Sequence, residues 1–150
     1  MTVSPPLSGI DIGTAANATR ALLDRLLDEE CLTFEEWVAG FTLLQLGPSV
    51  GREELVRDLS GKLNRDRSLI DGLLATTSAK GLTQETTPNG SAATVFDLTA
   101  DGFARIQRIR AGTLRIAEEL YGPMDPDELR TAGRVLRQVT ARAREMATRS

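Results

Sequence analysis

At 150 residues, with 41% hydrophobic and 26% charged side chains, the chain has the size and composition of one ordinary globular domain. No run approaches the ~18 uninterrupted apolar residues of a membrane-crossing helix. The start, Met1 to Pro6, lacks the basic and apolar segments of a secretion signal, so a cytoplasmic protein without a membrane partner is expected. There is no histidine and a single cysteine, Cys31, which excludes Ser-His hydrolases and nearly every zinc site, so an enzyme would have to work with carboxylates, Lys or Tyr, and no enzyme, metal or cofactor is expected. The net charge of −3 argues against coating nucleic acid through bulk charge. Residues 1–60 carry four basic and ten acidic side chains, whereas residues 101–150 carry ten and seven, so one face can still be basic.

Residues 1–10, with Pro5, Pro6, Ser8 and Gly9, read as a loose arm. From Asp11, Ile12, Ala15, Ala16, Thr19, Leu22, Leu23, Leu26 and Leu27 recur at helical spacing, predicting a helix that ends near Cys31. Thr33 and Glu36 form a capping box for a second helix with an apolar stripe of Trp37, Phe41 and Leu44, stopped by Gly47-Pro48-Ser49. Leu55, Leu59 and Leu63 mark a third helix. A fourth begins after Asn64 or Asp66, turns Ile70, Leu73 and Leu74 inward, and closes at Lys80-Gly81.

The period then changes. Residues 82–87 and 92–98 are rich in β-branched side chains and flank Pro88-Asn89-Gly90-Ser91, a strong hairpin signal and the sole sheet the sequence predicts. Thr99 caps a long helix through Phe103, Ile106, Ile109, Ile116 and Leu120 to Gly122-Pro123. Asp125-Pro126-Asp127-Glu128 opens the last helix as an N-cap, a first-turn proline and an acidic first turn. In it Leu129, Ala132, Leu136, Val139, Ala143 and Met146 follow one another at heptad steps. The fold class is therefore mainly α with one β-hairpin. Two short helices and then a hairpin is the order of a winged helix-turn-helix, in which the second helix suits a major groove.

The ordered series Leu32-Thr33 to Trp37, Asp58-Leu59-Ser60 through Asp66-Arg67-Ser68 and Ile70, Leu73-Leu74, Lys80-Gly81-Leu82 and Leu98-Thr99-Ala100-Asp101-Gly102 resembles the MarR family of dimeric bacterial transcriptional regulators, over roughly residues 12–147. The resemblance implies a single MarR-like domain over 1–150. Its winged helix would span about 33–98, flanked by long dimerisation helices at about 11–31, 99–121 and 125–147. It further implies a homodimeric, ligand-responsive repressor that reads a pseudo-palindromic site in double-stranded DNA through residues 64–80.

The residues placed to meet DNA are Lys62, Asn64, Arg65, Arg67, Ser68, Asp71, Thr76 and Lys80. Arg65 and Arg67 lie at the start of the fourth helix, where phosphate or guanine contact is natural. Trp37 and Phe41, four apart, are expected either to line a small-molecule effector pocket or to form a plain aromatic core pair. Three places depart from the family pattern. The stretch from Leu44 to Leu59 is several residues longer than usual, and Gly72 stands where a polar contact residue is common. The wing tip, Asn89 to Ala92, lacks the usual Asp-x-Arg pair, and no basic residue lies between Gly81 and Arg105. A wing without positive charge forfeits phosphate contacts, so a winged-helix dimer acting through protein contacts is the alternative. Cys31 is expected to be buried and inert.

Overall fold

The computed structural model describes residues 3–90 and 92–149. In chain order they form α1 (Gly9–Glu29), α2 (Phe34–Leu46), β1 (Val50–Gly51), α3 (Arg52–Leu63), α4 (Arg67–Ala79), β2 (Thr83–Thr86), β3 (Val95–Leu98), α5 (Ala100–Tyr121) and α6 (Pro126–Thr148). The chain divides into two compact units, one up to Gly112 and one from Thr113. Among the described residues, no helix is long and apolar enough to cross a membrane.

The first unit begins its helices on local hydrogen bonds. Thr33 accepts from the Glu36 amide at 3.2 Å, and Glu36 returns the contact to the Thr33 amide at 2.9 Å, the capping box expected from sequence. Asp66 caps α4 by accepting from the Leu69 amide at 3.0 Å. The loose arm expected over residues 1–10 is shorter than that. Ser8 and Asp11 make a capping box of their own, and α1 starts at Gly9. At the end of α4 the chain leaves through a left-handed glycine, Gly81, at φ 74°. The Gly81 amide donates to Ser78 and the Leu82 amide to Thr77, each at 3.0 Å, so the last carbonyls are satisfied as the chain turns into the sheet.

The sheet has three antiparallel strands in the order β1-β3-β2, not two. Val50 and Gly51, which lie between the second and third helices and carry no strand signal in the sequence, pair with Phe96 and Val95. A two-residue strand is too short to give an alternating pattern, and it exists because β3 offers an open edge. The hairpin itself is the expected one, trimmed to four residues a side with Thr83 opposite Leu98 and Thr86 opposite Val95. Ser91, at its expected tip, lies outside the described residues.

Two clusters hold this unit together. Leu55, Val56 and Leu59 of α3 pack with Ile70 and Leu74 of α4, Leu43 of α2, and Val50 and Phe96 of the sheet. Leu27, Leu32, Leu82, Ile106 and Ile109 form the second, which ties α1 and α5 to the sheet's start. Gly102 makes the second cluster possible. A Cβ there would lie 1.9 Å from the Leu82 carbonyl oxygen, so α5 meets the chain entering β2 backbone to backbone. Thr99 secures the same corner, with its amide donating to the Leu82 carbonyl at 3.1 Å and its hydroxyl accepting from the Gly102 amide at 2.9 Å.

The second unit holds the end of α5, a turn and α6. Asp125 accepts from the Asp127 amide at 2.7 Å, with Pro126 in the first turn, as the sequence indicated. No described residue of α6 is buried. Its heptad seam is open: Leu136 and Val139 are each 41% exposed and Met146 66%.

Candidate nucleic-acid interface

The link from α3 to α4 is tight because Asn64 takes a left-handed conformation, φ 52°, and its amide donates back to the Ser60 carbonyl. Asn tolerates that region better than most residues. The chain then reverses within two residues, and Asp66 starts α4. The helix buries Ile70, Leu74 and Thr77. Its opposite face, Ser68, Leu69, Gly72, Ala75, Thr76 and Ala79, is exposed. That face is small and uncharged, apart from Leu69, which is 58% exposed. Such a surface lets a partner come close to the helix backbone, and Ala and Thr methyls are of the kind that suit thymine.

Charge is arranged around this face and not on it. Arg67, in the first turn, grips the exposed carboxylate of Glu53 on α3 through both terminal nitrogens. That hydrogen bonding holds Glu53 below the usual carboxylate range and raises Arg67 in return. Asp71 receives Arg52 at 2.8 Å, and Arg52 also reaches Glu85 of β2 at 3.3 Å. Arg52 lies 5.5 Å from the Phe96 ring centroid as well, so one guanidinium braces α3, α4 and the sheet. Lys62 turns toward α2, donating to Thr42 at 3.0 Å and Gln45 at 3.3 Å. Ser68 stands exposed in the first turn of α4, and the Thr76 hydroxyl donates to the Gly72 carbonyl of its own helix at 3.0 Å. Arg65 is exposed and, among the described residues, forms no ion pair.

Lys80 has a structural partner the sequence did not reveal. Its ammonium lies 2.8 Å from a carboxylate oxygen of Glu36, which is 1% exposed, and 3.2 Å from the Cys31 carbonyl. Burial pushes the Glu36 carboxyl up, but the Lys80 and Thr33 hydrogen bonds outweigh it and hold the group below its ordinary value. The end of α4 is thereby fastened to the corner between α1 and α2. Nearby, Glu30 accepts from Arg108 at 2.6 and 2.9 Å, and this contact, aided by Arg105, lowers its carboxyl too.

Of the residues expected at DNA, Asn64, Arg65, Arg67, Ser68, Asp71 and Thr76 gather around the start and outer side of α4. Lys62 and Lys80 stand at its two approaches, each tied inward. Sequence reasoning missed Arg52, Glu53 and Glu36, whose partners lie 14 to 44 residues away. Trp37 and Phe41 stack with ring centroids 5.6 Å apart, and Phe34 lies 6.0 Å from Trp37. All three pack, partly buried, against the second cluster. Cys31 is exposed, not buried. It sits in a left-handed turn at φ 55°, between the end of α1 and the cap of α2, so its side chain misses the core that Leu32 enters.

No family model matches the sequence, and comparison with curated proteins finds no match. Solved structures do match. A MarR family transcription regulator superposes with a TM-score of 0.70 at 23% identity, covering 93% of this chain and 95% of that one. The Staphylococcus aureus MepR–DNA complex gives 0.72 at 14% identity, over 88% and 93% of the two chains. PcaV of Streptomyces coelicolor, in complex with its natural ligand, gives 0.66 at 18% identity over 95% and 99%. The chain has the MarR winged-helix fold. In MarR terms α3 and α4 are the helix-turn-helix and β2–β3 the wing.

Proposed function

We propose that this chain is a MarR-family, DNA-binding transcriptional regulator, neither an enzyme nor a cofactor protein, built as a single domain over residues 1–150. The observation that carries the proposal is the exposed face of α4, a helix firmly anchored on one side and free of bulk and charge on the other. The MepR–DNA complex, similar in fold, supports the same assignment.

In this reading the protein is a cytoplasmic homodimer, with α1, α5 and α6 as dimerisation helices. The open seam of α6 supports that, because apolar surface of this kind finds its partner in a second copy. Two α4 helices enter successive major grooves of a pseudo-palindromic site, with half-sites about 34 Å apart. Arg65 and Arg67 reach phosphate or guanine, while Asn64, Ser68 and Thr76 offer polar contacts. Asp71 acts through Arg52, and Lys62 and Lys80 border the groove. A small-molecule effector, for which the ligand complex of PcaV is the precedent in fold, relieves repression, with Trp37 and Phe41 as wall residues.

A second reading has an observation of its own. Arg67 and Lys80 are engaged by Glu53 and Glu36, and the wing carries Glu85 and Asp97 without a basic residue. A winged-helix dimer acting through protein contacts would look like this. Selection from a random duplex pool, followed by affinity across a salt series, separates the two. Recovery of a two-half-site sequence with a steep salt dependence, weakened by Arg65→Ala, supports the regulator. A folded dimer that enriches no sequence refutes it.

A further inference from the structure

We propose that one face of α6 is a second DNA-contact surface, a row of arginines that holds the phosphate backbone without regard to sequence. From Leu129 to Arg144 the chain carries five arginines and no acidic residue, in a protein whose net charge is −3. Arg130, Arg134, Arg137 and Arg144 are all exposed. At about 100° and 1.5 Å per residue they fall within about 80° of arc and span about 21 Å of helix. The apolar seam of Leu129, Leu136, Val139 and Met146 lies about 150° around the same helix. A second copy that covers the seam therefore leaves the arginines in solvent.

The acids of this unit are segregated from the row. Glu118 and Glu119 lie in the last turn of α5, three and four residues after Arg115. Asp125, Asp127 and Glu128 open α6, and Glu145 stands at the edge of the row. Asp127 is taken by Arg130 and Glu145 by Arg149. Arg134, Arg137, Arg142 and Arg144 form no ion pair among the described residues. The first unit treats its arginines differently: Arg20, Arg52, Arg67, Arg105 and Arg108 each meet a carboxylate. Exposed charge is the default for arginine, but three adjacent ones left without a counter-charge repel one another and gain from an anionic partner.

The chemistry of that partner follows from the face. Ala141 and Thr148 share it with the arginines, so it holds no large apolar anchor for a bilayer. Guanidinium forks match phosphate oxygens. Duplex DNA presents a phosphate about every 1.7 Å of its axis, so each arginine finds one in any register. The use of this contact, holding the protein on DNA around its specific site, rests on the regulator reading, whereas the affinity of the row for phosphate does not.

Anisotropy titration of the full chain against a labelled duplex of mixed sequence, over a salt series, tests the surface. The triple variant Arg134→Gln, Arg137→Gln, Arg144→Gln is expected to lower the log-log salt slope by about 2.7, three phosphate contacts at about 0.9 each, and to weaken binding at low salt by about tenfold or more. Lysine at the same three positions is expected to restore the slope. Melting curves check the fold, and should the triple variant melt early, Arg137→Gln alone is expected to lower the slope by about 0.9. Arg65→Gln with Arg67→Gln is expected to leave the α6 contribution in place. A variant slope equal to the parent's overturns the proposal, as does a parent that binds no mixed-sequence duplex at low salt. So does tighter binding of phosphatidylserine vesicles or of polyglutamate than of duplex at equal charge. Selection that enriches no sequence, with the slope difference intact, removes the regulator reading and leaves this surface standing. An enriched sequence without a slope difference removes only the surface.

Discussion

The winged head and the C-terminal hairpin are built from helices of similar quality and spend their apolar surface differently. In the head each helix delivers buried side chains to a shared core: Leu43 from α2, Leu55 and Leu59 from α3, Ile70 and Leu74 from α4. In the hairpin, α6 is 23 residues long, capped by Asp125 and Pro126, and buries nothing. Local helix signals were equally legible in both regions, so they say where a helix forms and not what it packs on. The head is stabilised within one chain. The apolar seam of α6 is left exposed.

The first way to break this contrast is at the tightest point of the head. Gly102→Ala places a methyl group 1.9 Å from the Leu82 carbonyl oxygen, a clash with backbone that no rotamer relieves. The expected loss is about 3 kcal/mol or more, read as a large fall in the urea midpoint. A midpoint within experimental error of the parent would mean that α5 and β2 can separate at little cost. The hairpin should respond to a different test. Leu136→Asp with Val139→Asp alters no buried residue, yet under the proposed dimer is expected to give a monomer in sedimentation at micromolar concentration. A double variant that remains dimeric takes α6 out of the interface.

The sequence revealed what is local. The capping boxes and the Gly81 stop each lie within a few residues and fix backbone through their own hydrogen bonds, while the Asn-Gly turn and the heptad seam show in residue type and spacing. It did not reveal β1, which has no pattern of its own and exists through pairing with β3. Nor did it reveal the engagement of Lys80 by Glu36, 44 residues away. Both residues were legible, one as a cap and one as a basic candidate for DNA, but not as a pair. Cys31 was misjudged for a related reason. One left-handed residue between two helices turns its side chain away from the core.

The Lys80 contact sharpens the comparison at intermediate size. Lys80→Met leaves Glu36 buried without its cation, and because the lysine itself is 38% exposed the expected cost is about 1–3 kcal/mol. Acid reads the same network. Glu36 and Glu30 are held below the 4.5 of a free side chain, so near and below that pH the unfolded chain binds protons that the folded one refuses. The stability they contribute is complete above 4.5 and lost as pH falls through their folded values. Urea midpoints from pH 6 to 3 should drop steeply in the parent and less in Lys80→Met. Parallel curves would mean that the lysine does not set the Glu36 titration.

The smallest effect concerns Glu53, and it bears most directly on DNA. Its pair with Arg67 is exposed on both sides, 75% and 55%, and contributes little to stability. On the regulator reading, phosphate must nevertheless displace it before Arg67 can serve the DNA backbone. Glu53→Gln keeps the shape and removes the competing charge. Melting should stay where it is, while affinity for a selected duplex rises a few-fold and the log-log salt slope steepens by about 0.9, one added phosphate contact. Unchanged melting with an unchanged slope would place Arg67 outside the DNA contact. On the same reading Arg65, which forms no ion pair among the described residues, would then be the arginine that α4 brings to the groove.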